Sequence, residues 1–181
     1  MKAEQPLIGI NVNYRVGSFG FLYSEELGKF GVKPNRGILD QRVALQWVQK
    51  HIRGFGGDPA RVTVVGESAG GVSCTLNLLS KQPVFTQLMA MRGNSLLMKP
   101  LPLSVAEQSY SATLKALEVD ESLSNQEKAN LLFNIPPENF VAKVGPQIPL
   151  IPVLDGEIIS ANITYARWES PDLEEYLPGR S

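Results

Sequence analysis

A serine in a glycine-flanked pentapeptide has the surroundings best suited to chemistry. Residues 66–70 read Gly-Glu-Ser-Ala-Gly and directly follow the apolar, β-branched run 62–65. Such a run predicts a buried strand, and the residues from Ala69 to Leu79 can continue as a helix. A strand, a sharp turn and a helix in that order hold Ser68 at the tip of the turn, where its hydroxyl could attack a carbonyl carbon.

The spacing has a physical reason, since backbone passes close to a serine held on a tight turn. We expect Gly66 and Gly70 to leave room where a Cβ would clash. The turn also puts Ser68 at a helix N-terminus, where free N–H groups and the helix dipole favour developing negative charge. The N–H of Ala69 is the expected donor to that charge. The competing interpretation is a glycine-rich turn with a spectator serine.

Composition narrows the possible functions. The chain has 181 residues, a net charge of −1 and 43% hydrophobic residues, which is typical of a globular domain with a sizeable core. That charge gives no electrostatic basis for binding nucleic acid or an anionic membrane. No apolar run is long enough for a transmembrane helix, and residues 1–6 lack a signal-peptide apolar region, so the chain as it stands is expected in the cytoplasm. Its one cysteine, Cys74, precludes an internal disulfide and is expected to be a buried, inert thiol.

The elements that would position Ser68 are those of an α/β fold. Short apolar runs predict parallel strands at 7–13, 61–66 and 86–91. Apolar residues at helical spacing predict a helix over 35–53. The first two strands and this helix would form a β-α-β unit, which places Ser68 at the carboxyl edge of the sheet, where α/β proteins have their sites.

The remaining segments are predicted from loop and capping signals. Residues 14–31, rich in glycine and aromatic residues, are expected to form a loop. A helix capped by Ser104 is expected over 104–117, and another over 124–133. The Pro-Pro pair at 136–137 is expected to stop the second of these helices.

The pentapeptide belongs to a longer set of segments that match one known family. These segments are residues 13–17, 20–22, 37–42, 44–48, 52, 55–59, 62–63 and 66–71, and a thinner similarity continues to residues 152–156. On these residues the sequence resembles the type-B carboxylesterase/lipase family, the cholinesterase-like esterases of the α/β-hydrolase fold. The resemblance implies a partial α/β-hydrolase domain over 1–181, with a mostly parallel sheet and crossover helices.

The resemblance also implies roles for individual residues. Ser68 would be the acylated nucleophile and the Ala69 N–H one oxyanion donor. Glu67 would be an acidic residue lining the pocket beside the serine. Arg15 and Asp40 would form a buried ion pair, and loss of either partner would cost several kcal/mol. The implied substrate is a small carboxylic ester, hydrolysed without a cofactor.

The sequence also departs from the family pattern. The family's glycine-rich oxyanion loop precedes the segment matched here, and its triad acid and histidine follow it. The one histidine, His51, comes before Ser68 on the crossover helix, so a catalytic role for it is not expected. One histidine and one cysteine give no basis for a metal site. Where the family usually has Gln-Ser-Gly after the next strand, this chain has Met91, Arg92 and Gly93.

These departures predict a fragment of a longer hydrolase, with little or no turnover by itself, because a serine hydroxyl without a base is a poor nucleophile near neutral pH. Two alternatives remain. One is a non-catalytic, cholinesterase-like binding or adhesion module. The other is a working hydrolase assembled with a second polypeptide that carries the missing acid and histidine.

Overall fold

The computed structural model describes residues 6–78, 84–146 and 148–159, which divide between two compact units. The first unit contains residues 6–15 and Ile38–Lys99, and the second contains Val16–Gly37 and residues 100–159. The elements in chain order are α1 (Gly17–Phe21), α2 (Glu25–Lys29), α3 (Arg36–His51), β1 (Thr63–Glu67), α4 (Ala69–Leu78), β2 (Gln87–Met91), α5 (Leu103–Ala116), α6 (Asn125–Asn134) and α7 (Pro137–Lys143).

The two strands of the first unit are parallel neighbours joined by α4. Their register runs from Thr63 opposite Gln87 to Glu67 opposite Met91. The β-branched residues of β1 favour this extended backbone. The strands predicted at 61–66 and 86–91 are therefore confirmed with small shifts, and the observed β-α-β unit is β1–α4–β2. The burial predicted for the first of these strands is wrong, because the residues of β1 alternate between exposed and half-buried and Val65 is 59% exposed.

The strand predicted at 7–13 is not found in the described residues. The structure assigns no strand there, and Leu7, Ile8 and Ile10 are 93%, 44% and 45% exposed. An apolar run predicts which side chains prefer burial, but a strand also needs a neighbour for its backbone hydrogen bonds. The prediction of a β-α-β unit built from this segment is wrong for the same reason.

The two helices that flank the strands in sequence agree with prediction. The helix expected over 35–53 is α3, followed by a 3₁₀ turn at Ile52–Phe55 that ends at Gly56 in the left-handed conformation. The helix expected from Ala69 is α4, and the predicted last residue, Leu79, lies outside the described residues. Residues 71–77 of α4 are all buried.

In the second unit, the segment predicted as a loop at 14–31 contains two short helices. Ser24 caps α2 by accepting a hydrogen bond from the Leu27 N–H at 3.0 Å. Five-residue helices carry too little hydrophobic periodicity to be recognised from sequence.

The two later helices predicted for this unit are found, with one correction and one additional helix. Helix α5 begins at Leu103 with Pro102 at the N-cap position and no side-chain cap, so Ser104 is not the cap. Ser124 caps α6 in a capping box with Glu127. The Pro-Pro pair follows the end of α6, but Pro137 also opens α7, because its fixed φ suits the first position of a helix.

A buried asparagine anchors the second unit. Asn35 is 1% exposed and has a left-handed φ of 54°. Its side chain accepts from the Val153 N–H at 2.8 Å and donates to the Val153 carbonyl and the Asp155 carboxylate, both at 2.8 Å. The apolar core of this unit consists of Leu22, Leu27, Tyr110, Leu117, Ala129 and Phe140.

Candidate active site

Ser68 lies in a tight turn between β1 and α4, as predicted. Its φ of 53° is in the left-handed region, which costs a non-glycine residue about 1–2 kcal/mol. The Ser68 N–H donates to the Met91 carbonyl at 2.8 Å, and its own carbonyl accepts from the Val72 N–H at 3.1 Å. These bonds hold the strained residue between the end of β2 and the first turn of α4, while Ser68 itself is exposed.

Close backbone packing explains some of the glycines at this turn and corrects the sequence argument for one of them. A Cβ on Gly66 would overlap the carbonyl group of Gly70. A Cβ on Gly70 would meet nothing within 4 Å, so the expectation that Gly70 avoids a clash is wrong. Two glycines that the sequence argument missed are constrained instead: a Cβ on Gly71 would overlap the Gly93 carbonyl, and one on Gly93 would overlap the Ser68 carbonyl.

The other two predicted site residues flank Ser68. Glu67 is the last residue of β1, pairs with Met91 in the register and is exposed. Ala69 is the first residue of α4, so its N–H belongs to the first turn, whose donors have no acceptor within the helix. Backbone donors at this position are suited to holding an anion.

Polar side chains on α4 tie the helix to α3. The Gln41 amide donates to the Ser73 hydroxyl at 3.1 Å, and the Asn77 amide donates to the Gln41 carbonyl oxygen at 2.9 Å. All three residues are buried. Because α4 begins at the residue after Ser68, these bonds fix the direction in which the helix leaves the turn.

A second hydrogen bond joins α4 to the segment after β2, and it leads to a prediction about stability. The buried Ser95 N–H donates to the Thr75 hydroxyl at 2.9 Å, whereas the Ser95 hydroxyl has no hydrogen-bond partner among the described residues. Thr75→Val should lower the free energy of unfolding by about 1–3 kcal/mol, because a buried N–H loses its acceptor. Ser95→Ala should change it little or raise it. Urea titrations of both variants measure the difference, and equal losses would contradict this assignment.

The predicted Arg15–Asp40 ion pair is present in the first unit, but it is not buried. The guanidinium donates to both carboxylate oxygens at 2.8 and 2.7 Å, and the Arg15 N–H donates to one of them at 3.0 Å. The two side chains are 50% and 26% exposed. The hydrogen bonds with Asp40 raise the pKa of Arg15.

This exposure lowers the expected contribution of the pair from several kcal/mol to about 1 kcal/mol, because solvent screens both charges. Arg15→Ala should lower the free energy of unfolding by about that amount, and added salt should reduce the difference between variant and parent. Urea titrations at low and high salt measure both effects. A loss of several kcal/mol that salt does not change would restore the buried-pair interpretation.

The one histidine and the one cysteine of the chain both lie on helices. His51 ends α3, is exposed and has its ring 5.1 Å from that of Trp47, centroid to centroid. Cys74 is buried in α4, and burial raises the pKa of its thiol. Among the described residues, no group of histidine, cysteine and carboxylate side chains could hold a metal ion. None of the described helices has the length and the apolar composition of a membrane-spanning helix.

Comparison with known protein sequences finds relatives that are named carboxylesterases and cholinesterases. Carboxylesterase patB of Penicillium expansum is 49% identical over 88 residues, which cover 46% of this chain and 16% of the relative. Cholinesterase 1 of Branchiostoma lanceolatum is 38% identical over 124 residues, which cover 68% of this chain and 34% of the relative. This chain therefore spans about a sixth and about a third of these relatives' lengths.

Comparison with solved structures indicates the same group of esterases. A solved PNB esterase superposes with a TM-score of 0.72 and 29% identity over 83% of this chain and 33% of the esterase chain. The described elements are thus part of an α/β-hydrolase fold. The sequence profile described as "Carboxylesterase family" matches residues 1–171. This chain belongs to the carboxylesterase family.

Proposed function

We propose that this chain carries the nucleophile of a carboxylic ester hydrolase, and that the nucleophile is Ser68. The observation that carries the proposal is the left-handed backbone of Ser68, an exposed residue between a parallel strand and the helix that follows it. Strain of this kind clusters at functional sites, and a spectator serine would gain nothing from it. Membership of the carboxylesterase family supports the same reaction class.

The proposed chemistry is acyl transfer. The Ser68 Oγ attacks the ester carbonyl, its proton passes to a base, and the carbonyl oxygen becomes an oxyanion. The Ala69 N–H donates to that oxyanion. The C–O bond to the alcohol then breaks, the alcohol leaves with the proton, and the acyl group remains on Ser68 until water hydrolyses it. No step of this sequence uses a cofactor.

Glu67 is proposed to line the pocket beside the nucleophile. Its carboxylate is exposed at the end of β1, directly before Ser68 in the chain. A negative charge in this position would favour a protonated, positively charged base during attack. We also propose that residues 1–181 all belong to the α/β-hydrolase domain.

The chain by itself is proposed to turn over slowly. It has one histidine, which ends α3 and contacts Trp47 with its ring tilted by 38°. A serine hydroxyl without an adjacent base is mostly unactivated near neutral pH. Acylation by a reactive ester should therefore be slow, and release of the acyl group slower still.

Reaction of the full chain with p-nitrophenyl butyrate tests both parts of the proposal. Nitrophenolate release should be slow and close to stoichiometric, and intact-mass spectra should show one butyryl group that is absent in Ser68→Ala. Ser111→Ala, which changes another exposed serine, is the matched control and should behave like the parent. Sustained turnover that needs Ser68 would refute the slow-turnover claim. Acylation that persists in Ser68→Ala would refute the claim that Ser68 is the nucleophile, and it would favour a non-catalytic binding module.

A further inference from the structure

Arg92 lies beside Ser68 at the carboxyl edge of the sheet. It follows the last residue of β2, and because Glu67 is opposite Met91, Arg92 is level with Ser68. Both chain neighbours of Arg92 touch that serine. The Met91 carbonyl accepts from the Ser68 N–H at 2.8 Å, and a Cβ on Gly93 would lie 2.9 Å from the Ser68 carbonyl carbon.

The two residues also share an uncommon backbone conformation. Ser68 and Arg92 both have a φ of 53°. A left-handed arginine is costlier than the glycine or asparagine usually found there, and this arginine follows a strand in which alternate residues face opposite sides. The left-handed backbone of Arg92 ends that alternation at the level where Ser68 leaves the sheet.

The guanidinium of Arg92 is available for a ligand. The residue is exposed, and among the described residues no carboxylate lies within ion-pair distance of it. By contrast, Arg15 is paired with Asp40 in the same unit. An arginine offers a planar fork of N–H donors that matches a carboxylate in two parallel hydrogen bonds.

We propose that Arg92 determines specificity by binding a free carboxylate on the substrate. The substrate class is then hemiesters of short dicarboxylic acids, in which a carboxylate lies a few bonds from the ester carbonyl. The contacts of Met91 and Gly93 with Ser68 place the Arg92 backbone alongside the serine, and a carboxylate bound by its side chain would then lie close to the ester carbonyl. This inference rests on the proposed role of Ser68 as the nucleophile.

A pair of ligands that differ at one terminal group tests the proposal. Monomethyl succinate and methyl butyrate have the same ester and the same chain, with a carboxylate in one and a methyl group in the other. Methyl esters have a poor leaving group, so they stay intact during a titration. Dissociation constants come from amide NMR shifts of the full chain, followed at residues around Ser68.

The parent chain should bind monomethyl succinate more tightly than methyl butyrate. Arg92→Gln should weaken binding of monomethyl succinate by about tenfold and leave methyl butyrate unchanged, because only the charge-assisted hydrogen bonds are lost. Arg92→Lys should retain part of the preference. Arg61→Gln removes the same charge from an exposed arginine that precedes β1, at the opposite end of the strand, and should bind like the parent.

Several outcomes would overturn the proposal. These are a parent chain that binds both esters equally or neither, an Arg92→Gln variant that loses both equally, and an Arg61→Gln variant that matches Arg92→Gln. The proposed function is tested separately, by the reaction of Ser68 with the neutral ester p-nitrophenyl butyrate. If Ser68 is not acylated, the proposed function fails. Acylation without a charge preference would refute the role of Arg92 alone. A charge preference without acylation would refute the role of Ser68 and with it the substrate class, although Arg92 would still bind a carboxylate.

Discussion

Gly66→Ala is expected to lower the free energy of unfolding by about 3 kcal/mol or more. The added Cβ would overlap the Gly70 carbonyl group and lie 2.8 Å from the Gly71 nitrogen. Those atoms belong to the backbone of α4, so relief requires the helix to move rather than a side chain to rotate. Urea unfolding followed by circular dichroism measures the loss.

Gly70→Ala is the matched control, because the same methyl group placed four residues later meets nothing within 4 Å. Alanine is also the better helix former by about 0.5–1 kcal/mol, so this variant should be as stable as the parent or more stable. Equal losses in the two variants would contradict the packing described at the turn. Gly93→Ala should resemble Gly66→Ala, since its Cβ would overlap the Ser68 carbonyl.

Asn35→Ala should have a comparable effect in the second unit, with a loss of roughly 3–5 kcal/mol. The substitution removes three hydrogen bonds of 2.8 Å and leaves the N–H and carbonyl of Val153 buried without their partner. It also forces alanine into a left-handed backbone. Urea titration again gives the change, and a loss below about 1 kcal/mol would contradict the anchoring role.

Two further variants separate the causes of that loss. Asn35→Gly keeps the left-handed backbone free of strain and should be less destabilised than Asn35→Ala by about 1 kcal/mol, so the remainder measures the hydrogen bonds. Asn134→Ala removes an exposed asparagine at the end of α6 and should change stability by less than about 0.5 kcal/mol.

Asn35→Asp adds a pH test. The introduced carboxylate keeps the acceptor for the Val153 N–H but faces the Val153 carbonyl and Asp155. Burial and the neighbouring carboxylate would raise its pKa above the unfolded value. The loss in free energy of unfolding relative to the parent should therefore be largest near neutral pH and should shrink as the pH falls through that raised pKa. A deficit independent of pH would contradict the arrangement.

The turn at Ser68 was predictable because its determinants are local. A β-branched run, the pentapeptide and the helix-forming segment after it are consecutive, and each favours the conformation observed. The pentapeptide alone does not show which glycines are packed too closely against other backbone atoms to accept a Cβ. Gly71 and Gly93 are constrained by the return of the chain along β2, and that contact appears only after the strands pair.

Elements that depend on distant partners were not predictable. The apolar run at 7–13 has the composition of a strand but no ladder in the described residues. The Asn35 anchor joins residues 118 and 120 positions apart, so no local pattern signals it. Arg15 and Asp40 were expected to pair, and their pairing is observed, but the exposure that sets the strength of the pair depends on packing rather than on sequence spacing.

Arg92 shows how a departure from a family pattern can be informative. The sequence marks the position as unusual for the family but does not say where it lies. The register places it level with Ser68, and the backbone gives both residues the same left-handed φ. The hypothesis of an anion-binding residue therefore needs both the sequence and the structure.

We propose above all that Ser68 is an accessible nucleophile with no histidine base beside it among the described residues. Reaction of the full chain with a fluorophosphonate, with and without added imidazole, tests it most directly, because the Ser68 Oγ–P bond forms as fluoride leaves and imidazole can take the proton. Peptide mass spectrometry should find one adduct, on Ser68, formed faster with imidazole and absent in Ser68→Ala. Adducts on other residues, or none even with imidazole, would contradict the claim.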